Sequence, residues 1–319
     1  MSEYVLRRVL VAIPSLVGIS LVLFSVLALA PGDPFEELAT NPNVPPEVRA
    51  NLRTQFGLDD PIAIRYVRWF TSMLKGDWGF SFVSRINVDT LILQRLPTTL
   101  FVLGMAQLLG LLVALPVGVY SATRPYSFFD QVATTFAFIG FSLPTFFTGL
   151  MFILFFSIYL DWLPFIYRAD IDAKGLAWVW ANLKQGIMPI TVLGLFQGAS
   201  LTRFVRSAVL DVIRLDYINT ARAKGLSERV TIVKHVVRNA LIPVVTLVAL
   251  QIPGIFTGAV ITEQIFRVPG IGSLLISAIL SNDTPVIMAI TFVFSCLVVL
   301  FNLLADILYG WLDPRISYR

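Results

Sequence analysis

Six stretches of this chain run for 18 residues or more without a charge: Val9–Ala30, Leu96–Thr123, Gln131–Leu160, Gln185–Thr202, Asn239–Thr262 and Thr284–Ala305. A bilayer core is crossed by about 20 apolar residues in a helix, because lipid offers backbone N–H and C=O groups no hydrogen-bond partner. The runs therefore predict an all-α integral membrane protein with six transmembrane helices. The fourth run, "QGIMPITVLGLFQGASLT", is the shortest and is interrupted by Gly and Pro. A further run, "VPGIGSLLISAILSN", is too short to cross and reads as an interfacial or re-entrant helix.

Composition agrees. The chain is 56% hydrophobic and 14% charged, where a soluble domain has roughly a quarter charged. Its single cysteine, Cys296, excludes an internal disulfide, and its single histidine, His235, excludes a His-rich metal site. The net charge of +4 says less than the positions of the charges. The first run has two readings. "MSEYVLRR", an apolar stretch and Ala28-Leu29-Ala30 together mimic a cleavable signal peptide. Its 22 apolar residues exceed the about 7–15 of such a signal and favour a retained anchor.

Orientation follows from Lys and Arg. With Arg7, Arg8 and both termini in the cytoplasm, the inside segments are 1–8, 121–131, 203–239 and 310–319. Their Lys and Arg density is about twice that of the outside segments, as the positive-inside rule expects. The layout is an N-terminal transmembrane helix (1–30), an extracytoplasmic segment (31–95), a transmembrane domain (96–310) and a cytoplasmic tail (311–319).

Two segments outside the runs have helical logic. In "DDPIAIRYVRWFTSMLKGD", Asp59 or Asp60 can cap a helix, Pro61 fits its first turn and Gly76 lies just beyond its end. Ile62, Tyr66, Trp69, Phe70 and Met73 share one face. That face rests on the protein's own outer rim or docks an external partner. The second segment, "TARAKGLSERVTIVKHVVRN", is basic and sits between apolar runs. Leu226, Val230, Val233 and Val237 form a 4-3-4 stripe, and Gly225 breaks the preceding "DYINTARAK". The expected shape is two short helices with a break at Gly225. The segment is either a loop touching lipid headgroups or an amphipathic helix that docks into another protein.

No catalytic constellation is present. The chain has no G-x-x-x-x-G-K-[ST] to hold ATP, no Cys pair and no His-x-x-x-His. Charge-free runs argue against a proton- or ion-coupled carrier, which keeps ionisable groups at mid-membrane. Asp306 reads as the one acid within reach of a run, in a structural salt bridge rather than a relay. Gln107, Gln197 and Gln251 are the polar side chains that would line a pathway, or serve as ordinary glue between helices. Nothing implies a nucleic-acid partner; the bilayer is the partner the residues themselves require.

Five stretches in order make the chain resemble the membrane subunits of ABC importers, specifically the first permease subunit of the dipeptide, oligopeptide and nickel group. They are "RRVLVAIPSLVGISLVLFSVLALAPGDP", "LPTTL", "DYINTARAKGLSERVTIVKHVVRNALIPVVT", "VPGIGSLL" and "NLLADILYGWLDPRI". In that family a cytoplasmic loop carries Glu-Ala-Ala-x-x-Gly, nine residues, then Ile-x-Leu-Pro. Here Thr220, Ala221, Arg222 and Gly225 take the first part, and His235, Val237 and Arg238 stand for Ile, Leu and Pro. The departures at the acid, the second alanine and the proline are those of the peptide-type first subunit.

The resemblance implies the type I importer fold and a coupling loop at 203–239. Thr220, Ala221, Arg222, Ala223, Lys224, Gly225, Leu226, Val230 and Val233 would contact a cytoplasmic ATPase. It implies, as partners, a second homologous permease subunit, one or two ATPase subunits that use ATP and Mg, and an extracytoplasmic solute-binding protein. It implies no cofactor or enzymatic activity in this chain, and a place in the plasma (inner) membrane. The solute would be a peptide, or in other members nickel, glutathione or an oligosaccharide, moved by alternating access. A stand-alone channel or carrier and a membrane scaffold are the readings from other classes.

Overall fold

The structure, a computed structural model, describes residues 2–29, 60–81, 83–168 and 173–312. The alternative signal cleavage before Pro31, the Asp59 cap and most of the first outside segment lie outside those residues.

The described residues are helical apart from short connections and one isolated bridge, Phe80 with Asn87. In chain order the helices are α1 (Ser2–Leu29), α2 (Ile62–Leu74), α3 (Val88–Thr123), α4 (Phe128–Ser142) and α5 (Thr145–Phe152). A π-helical stretch, π1 (Ile153–Tyr159), continues α5. Then come α6 (Leu176–Ile213), α7 (Asp216–Ala223), α8 (Glu228–Val230), π2 (Thr231–Val237), α9 (Arg238–Ile265), α10 (Ile271–Leu280) and α11 (Thr284–Leu312). Four helices are long and apolar enough to cross a membrane, within α1, α3, 228–249 and α11; the pair 128–142 and 145–159 makes five if it counts as one broken span.

Two expected spans look different in three dimensions. The run Gln131–Leu160 is not one rod but bends by 102° after Ser142. Pro144 is the physical reason: it excludes the α conformation from the residue before it, and Leu143 is extended at φ −79°, ψ 128°. The fourth run, expected to be short and interrupted, lies inside the 38-residue α6, which runs unbroken through Pro189. The Gln, Gly, Pro and Thr residues within the run keep α6 out of the apolar class that length alone would give it.

The glycines that interrupt the fourth run are what α6 packs with. α3 and α6 form the most extensive helix pairing. A methyl group on Gly198 would stand 3.3 Å from the Gly110 backbone, and one on Gly194 would stand 3.0 Å from the Ala106 carbonyl oxygen. Only hydrogen at these positions lets two backbones approach so closely, the usual device where lipid tails supply no hydrophobic drive between helices. α9 and α4 pack on other sides of α6, and α11 joins α9 to α1. The short run expected to be re-entrant is α10, ten residues long, held between α9 and α11.

Acids at the ends of the runs organise both ends of the bundle, so Asp306 is not the one acid in reach. Asp306 does pair with Arg8 across α1 and α11, at 3.0 Å. Glu263, at the end of α9, is buried. It accepts the Thr99 hydroxyl at 2.6 Å and the Ser273 N–H at 2.9 Å. Thr99 Oγ1 in turn accepts the Ile271 N–H at 2.8 Å. Thus "LPTTL" and "VPGIGSLL" meet: Gly270 and Gly272 leave room for the carboxylate, which a methyl on Gly270 would strike at 2.0 Å. Buried Asp283, before α11, accepts the Ser81 hydroxyl and anchors the turn between α2 and α3.

Replacing Gly194 by Ala should lower the thermal unfolding midpoint of the purified chain in detergent, since overpacking costs typically about 1–3 kcal/mol. Replacing Gly104, which has nothing within 4 Å of such a methyl, should raise it, because Ala is favoured over Gly in a helix by about 1 kcal/mol. Equal shifts of the same sign would show that the crossing does not depend on Gly194.

Candidate functional site

The basic segment singled out in the sequence forms a bend at one end of the bundle. α7 is a two-turn helix whose inner face, Ile218 and Ala221, is buried. Ile218 belongs to one buried cluster with Ala122, Val205, Val209, Val236 and Ala240, which gathers α7 with α3, α6, π2 and α9. Tyr217 adds a polar tie, its hydroxyl accepting from the Asn239 amide at 2.9 Å.

The chain leaves α7 through a fixed geometry rather than a hinge. Gly225 has φ +80°, a region open to glycine at little cost. The Gly225 N–H donates to the Arg222 carbonyl at 2.9 Å and the Leu226 N–H to the Ala221 carbonyl at 3.4 Å. That pair of bonds is a Schellman cap. Arg222 then reaches across the turn and binds Glu228 with two nitrogens, Nε at 3.1 Å and Nη2 at 2.8 Å. The carboxylate beside it pushes the Arg222 guanidinium further up from its ordinary value. Glu228 also sits in the first turn of the next helix, where its charge complements the helix dipole.

Beyond Gly225 the chain does not form a second short helix. α8, π2 and α9 are continuous, since Val230, Thr231, Val237 and Arg238 all keep helical backbone angles. The π stretch changes the register. Thr231 and Val236, five residues apart, face the bundle and are fully buried, the spacing of a π turn. The expected stripe therefore splits. Leu226, Val230 and Val233 are exposed, with Val233 at 61%, while Val237 rotates away and is half-buried. Ala223 and Lys224 are exposed beside them, as is Thr220, and Arg222 is half-buried. An apolar groove of about 530 Å³ opens next to this face, lined by Leu115, Val119, Tyr120, Arg229, Ile232 and Val233.

The three glutamines are distributed unevenly. Gln107 and Gln197 lie beside the same α3–α6 crossing, for Gln197 Cβ stands 3.4 Å from a methyl placed on Gly110, one turn after Gln107. The Gln107 amide and Gln197 Oε1 are buried without a hydrogen-bond partner among the described residues. Gln251 is half-buried in α9.

Two further features escape sequence reasoning. Asp130 of α4 binds Arg206 of α6 with both carboxylate oxygens, at 2.6 and 2.8 Å. Asp130 also accepts the Tyr126 N–H at 2.8 Å, and its own N–H donates to Ser127 at 3.2 Å. A signal for it exists: Ser127 three residues before an acid is a helix-start signature. One turn before Arg206, the Arg203 guanidinium lies 4.9 Å from the ring centres of both Phe138 and Phe141. α2 also departs in detail from its expected shape. Its N-cap is Pro61, Asp60 pairs with Arg68 at 2.9 Å instead of capping, and Ile62 is exposed.

Comparison with known proteins decides what such a bundle belongs to. The profile of the "Binding-protein-dependent transport system inner membrane component" family matches residues 114–318, and that of its N-terminal domain matches residues 1–103. The chain belongs to this family. It is a multi-pass inner-membrane permease subunit of a binding-protein-dependent ABC importer. It is 41% identical over 320 residues to the oligopeptide transport system permease protein AppB of Bacillus subtilis. It is 35% identical over 338 residues to the dipeptide transport system permease protein DppB of Escherichia coli K12. It is 36% identical over 319 residues to the glutathione transport system permease protein GsiC of Salmonella paratyphi A. Each match covers all of both chains. A solved amino acid ABC transporter has the same fold, with a TM-score of 0.56 at 12% identity over 70% of this chain and 94% of its own.

In this permease the two ion pairs should differ in weight. Asp130→Ala strands Arg206 in a mostly buried site and should cost about 3 kcal/mol, the low end for a broken buried pair. Arg222→Ala removes an exposed pair worth about 0–1 kcal/mol. Thermal unfolding of the two variants in one detergent checks the order. Equal destabilisation would contradict it.

Proposed function

We propose that this permease subunit carries short peptides across the membrane by alternating access, driven by ATP that partner subunits hydrolyse. The oligopeptide, dipeptide and glutathione permeases to which it is similar end to end support the solute class. The spans in this reading are six: α1, α3, the bent pair α4–α5, α6, the continuous helix 228–265, and α11. The Lys and Arg distribution supports a cytoplasmic position for both termini and for the bend at Gly225, with α2 and α10 toward the outside.

The observation that carries the mechanism is the exposed apolar trio Leu226, Val230 and Val233 on a bend whose shape is fixed. Exposed Leu and Val side by side at a helix end, rimmed by Lys224 and Arg229, form the kind of face that docks into a groove. In the proposed arrangement an ATPase subunit covers this face. Thr220, Ala221, Arg222, Ala223, Lys224 and Gly225 shape it. ATP binding closes the ATPase pair and displaces the bend. Because the bend is continuous with α9 and buried against α3 and α6, the displacement reaches the spans without slack. A second, homologous permease subunit completes the pathway, and an external binding protein delivers the solute. Gln107 and Gln197 support a polar lining, since the Gln107 amide and Gln197 Oε1 have no partner among the described residues and leaving such a group so costs about 1–3 kcal/mol.

Changing Val230 and Val233 together to Asp should leave membrane insertion intact and abolish either ATPase binding or solute uptake at matched membrane levels. Wild-type uptake with the ATPase still bound would show that the trio is not the docking face. Orientation is checked separately. With Cys296 replaced, a cysteine at Lys75 should react with an impermeant thiol reagent in intact cells, and one at Ser227 should not. Labelling at 227 from outside would reverse the topology.

A further inference from the structure

The helix α2, read from sequence as part of an extracytoplasmic segment, is held against α1 and α11. Its aromatic face fixes its depth along them. The Trp69 ring lies 5.6 Å from Phe24 of α1 and 5.8 Å from Phe292 of α11, and Phe70 lies 6.4 Å from Phe292. The Tyr66 hydroxyl lies 2.9 Å from Ser20 Oγ, further down α1. Both partners can be measured from the same inner landmark, the Arg8–Asp306 ion pair that joins their other ends. Phe24 is sixteen residues beyond Arg8, about 24 Å along a helix, and Phe292 is fourteen residues from Asp306, about 21 Å. The two rulers agree. A hydrocarbon core about 30 Å thick that starts at the ion pair extends about 6–9 Å beyond the aromatic cluster.

The rest of α2 fits that placement. Its other side exposes Ile64 and Val67, at 51% and 59%, with the Arg68 side chain beside them. That surface continues the lipid-facing side of α1, where Val22 and Val26 are exposed. Three polar side chains of α2 have partners within the chain, and the half-buried Arg65 is long enough to carry its charge toward the headgroups. Arg68 pairs with Asp60, Tyr66 bonds Ser20, and the Thr71 hydroxyl donates back to the Val67 carbonyl at 2.8 Å. The other end of α2 rises to the surface: buried Met73 packs with Val88, Val286 and Ile271 at the outer ends of α3, α11 and α10.

We infer that α2 lies in the outer leaflet, with Ile64 and Val67 against lipid acyl chains. This rests on reading α1 and α11 as membrane spans. It turns α2 from part of a soluble excursion into a wedge that packs α1 and α11 together from the lipid side.

The test uses the assembled transporter in phosphatidylcholine nanodiscs, with Cys296 replaced by Ser and a single environment-sensitive fluorophore on Val67→Cys. Ile64→Cys is the second site, Val22→Cys the reference on α1 and Lys75→Cys the reference in water. Lipid brominated on its acyl chains should quench the labels at 67, 64 and 22, and aqueous iodide should quench only the one at 75. Iodide quenching at 67 and 64 with bromolipid quenching at 22 overturns the inference and leaves the spans in place. Quenching by neither agent at 67 and 64 also overturns it, because protein then covers the face. Iodide quenching at 22 overturns the reading of α1 as a span, and the inference with it.

Discussion

The contact between α3 and α6 is the constraint on which the rest of the bundle depends. These helices, of 36 and 38 residues, touch backbone to backbone through Gly110, Gly194 and Gly198. In lipid, apolar side chains gain nothing by leaving the solvent, so helices associate through close packing and polar contacts. The glycines supply the packing. Further along the same pair, a methyl on Gly118 would stand 2.8 Å from Val205, so the intimate contact extends toward the bend. This pair places the groups on which the proposed mechanism depends. Gln107 and Gln197 flank the crossing, and the ends of α3 and α6 form the seat of α7.

Ion pairs and buried acids sit toward the ends of the bundle, where each ties one helix to another. Asp130 with Arg206 joins α4 to α6, Arg8 with Asp306 joins α1 to α11, and Glu263 with Thr99 joins α9 to α3 and α10. Buried ion pairs are weak sources of net stability, because desolvation offsets most of the attraction. Their effect here is on register. Sliding α4 along α6 by one turn would leave Arg206 facing Phe138 and Phe141, where Arg203 already stacks. A bundle that rocks as a unit needs helices that do not slip, and directional pairs at the ends provide that without placing charge at mid-membrane.

Legibility in the sequence differs from element to element. α1, α3, α11 and the short α10 are plain, because a charge-free run of a given length has few other solutions in a membrane chain. The break at Gly225 is legible because only a left-handed turn or close packing calls for glycine there. The 102° bend is not, although Pro144 is in plain view. Pro14, Pro97, Pro116 and Pro189 all sit inside unbroken helices, so proline alone does not say which helix breaks. The π turn is invisible for a similar reason: a stripe at 4-3-4 spacing presumes an α-helix, and the switch to five-residue spacing at Thr231 and Val236 is decided by what α3 and α6 offer to pack against. Glu263 is hidden because it follows a charge-free run by one residue and reads as loop, while its glycine pocket lies seven residues on.

The bend joins these arguments. A loop that transmits force must be stiff at its tip and continuous with what it moves. The Schellman cap removes freedom at Gly225, and Arg222 with Glu228 braces the two sides of the turn. Salt screens an exposed pair of this kind, so the brace contributes little to folding, yet it sets the angle at which Leu226 is presented. The π stretch then does something an α-helix could not. By widening the turn it keeps Thr231 and Val236 in the bundle while leaving Leu226, Val230 and Val233 on the outside. With α geometry throughout, the inward and outward faces would compete for the same positions within two turns. The wide turn resolves that competition, so that one continuous helix both anchors in the membrane domain and offers an apolar face to the cytoplasm in the proposed orientation.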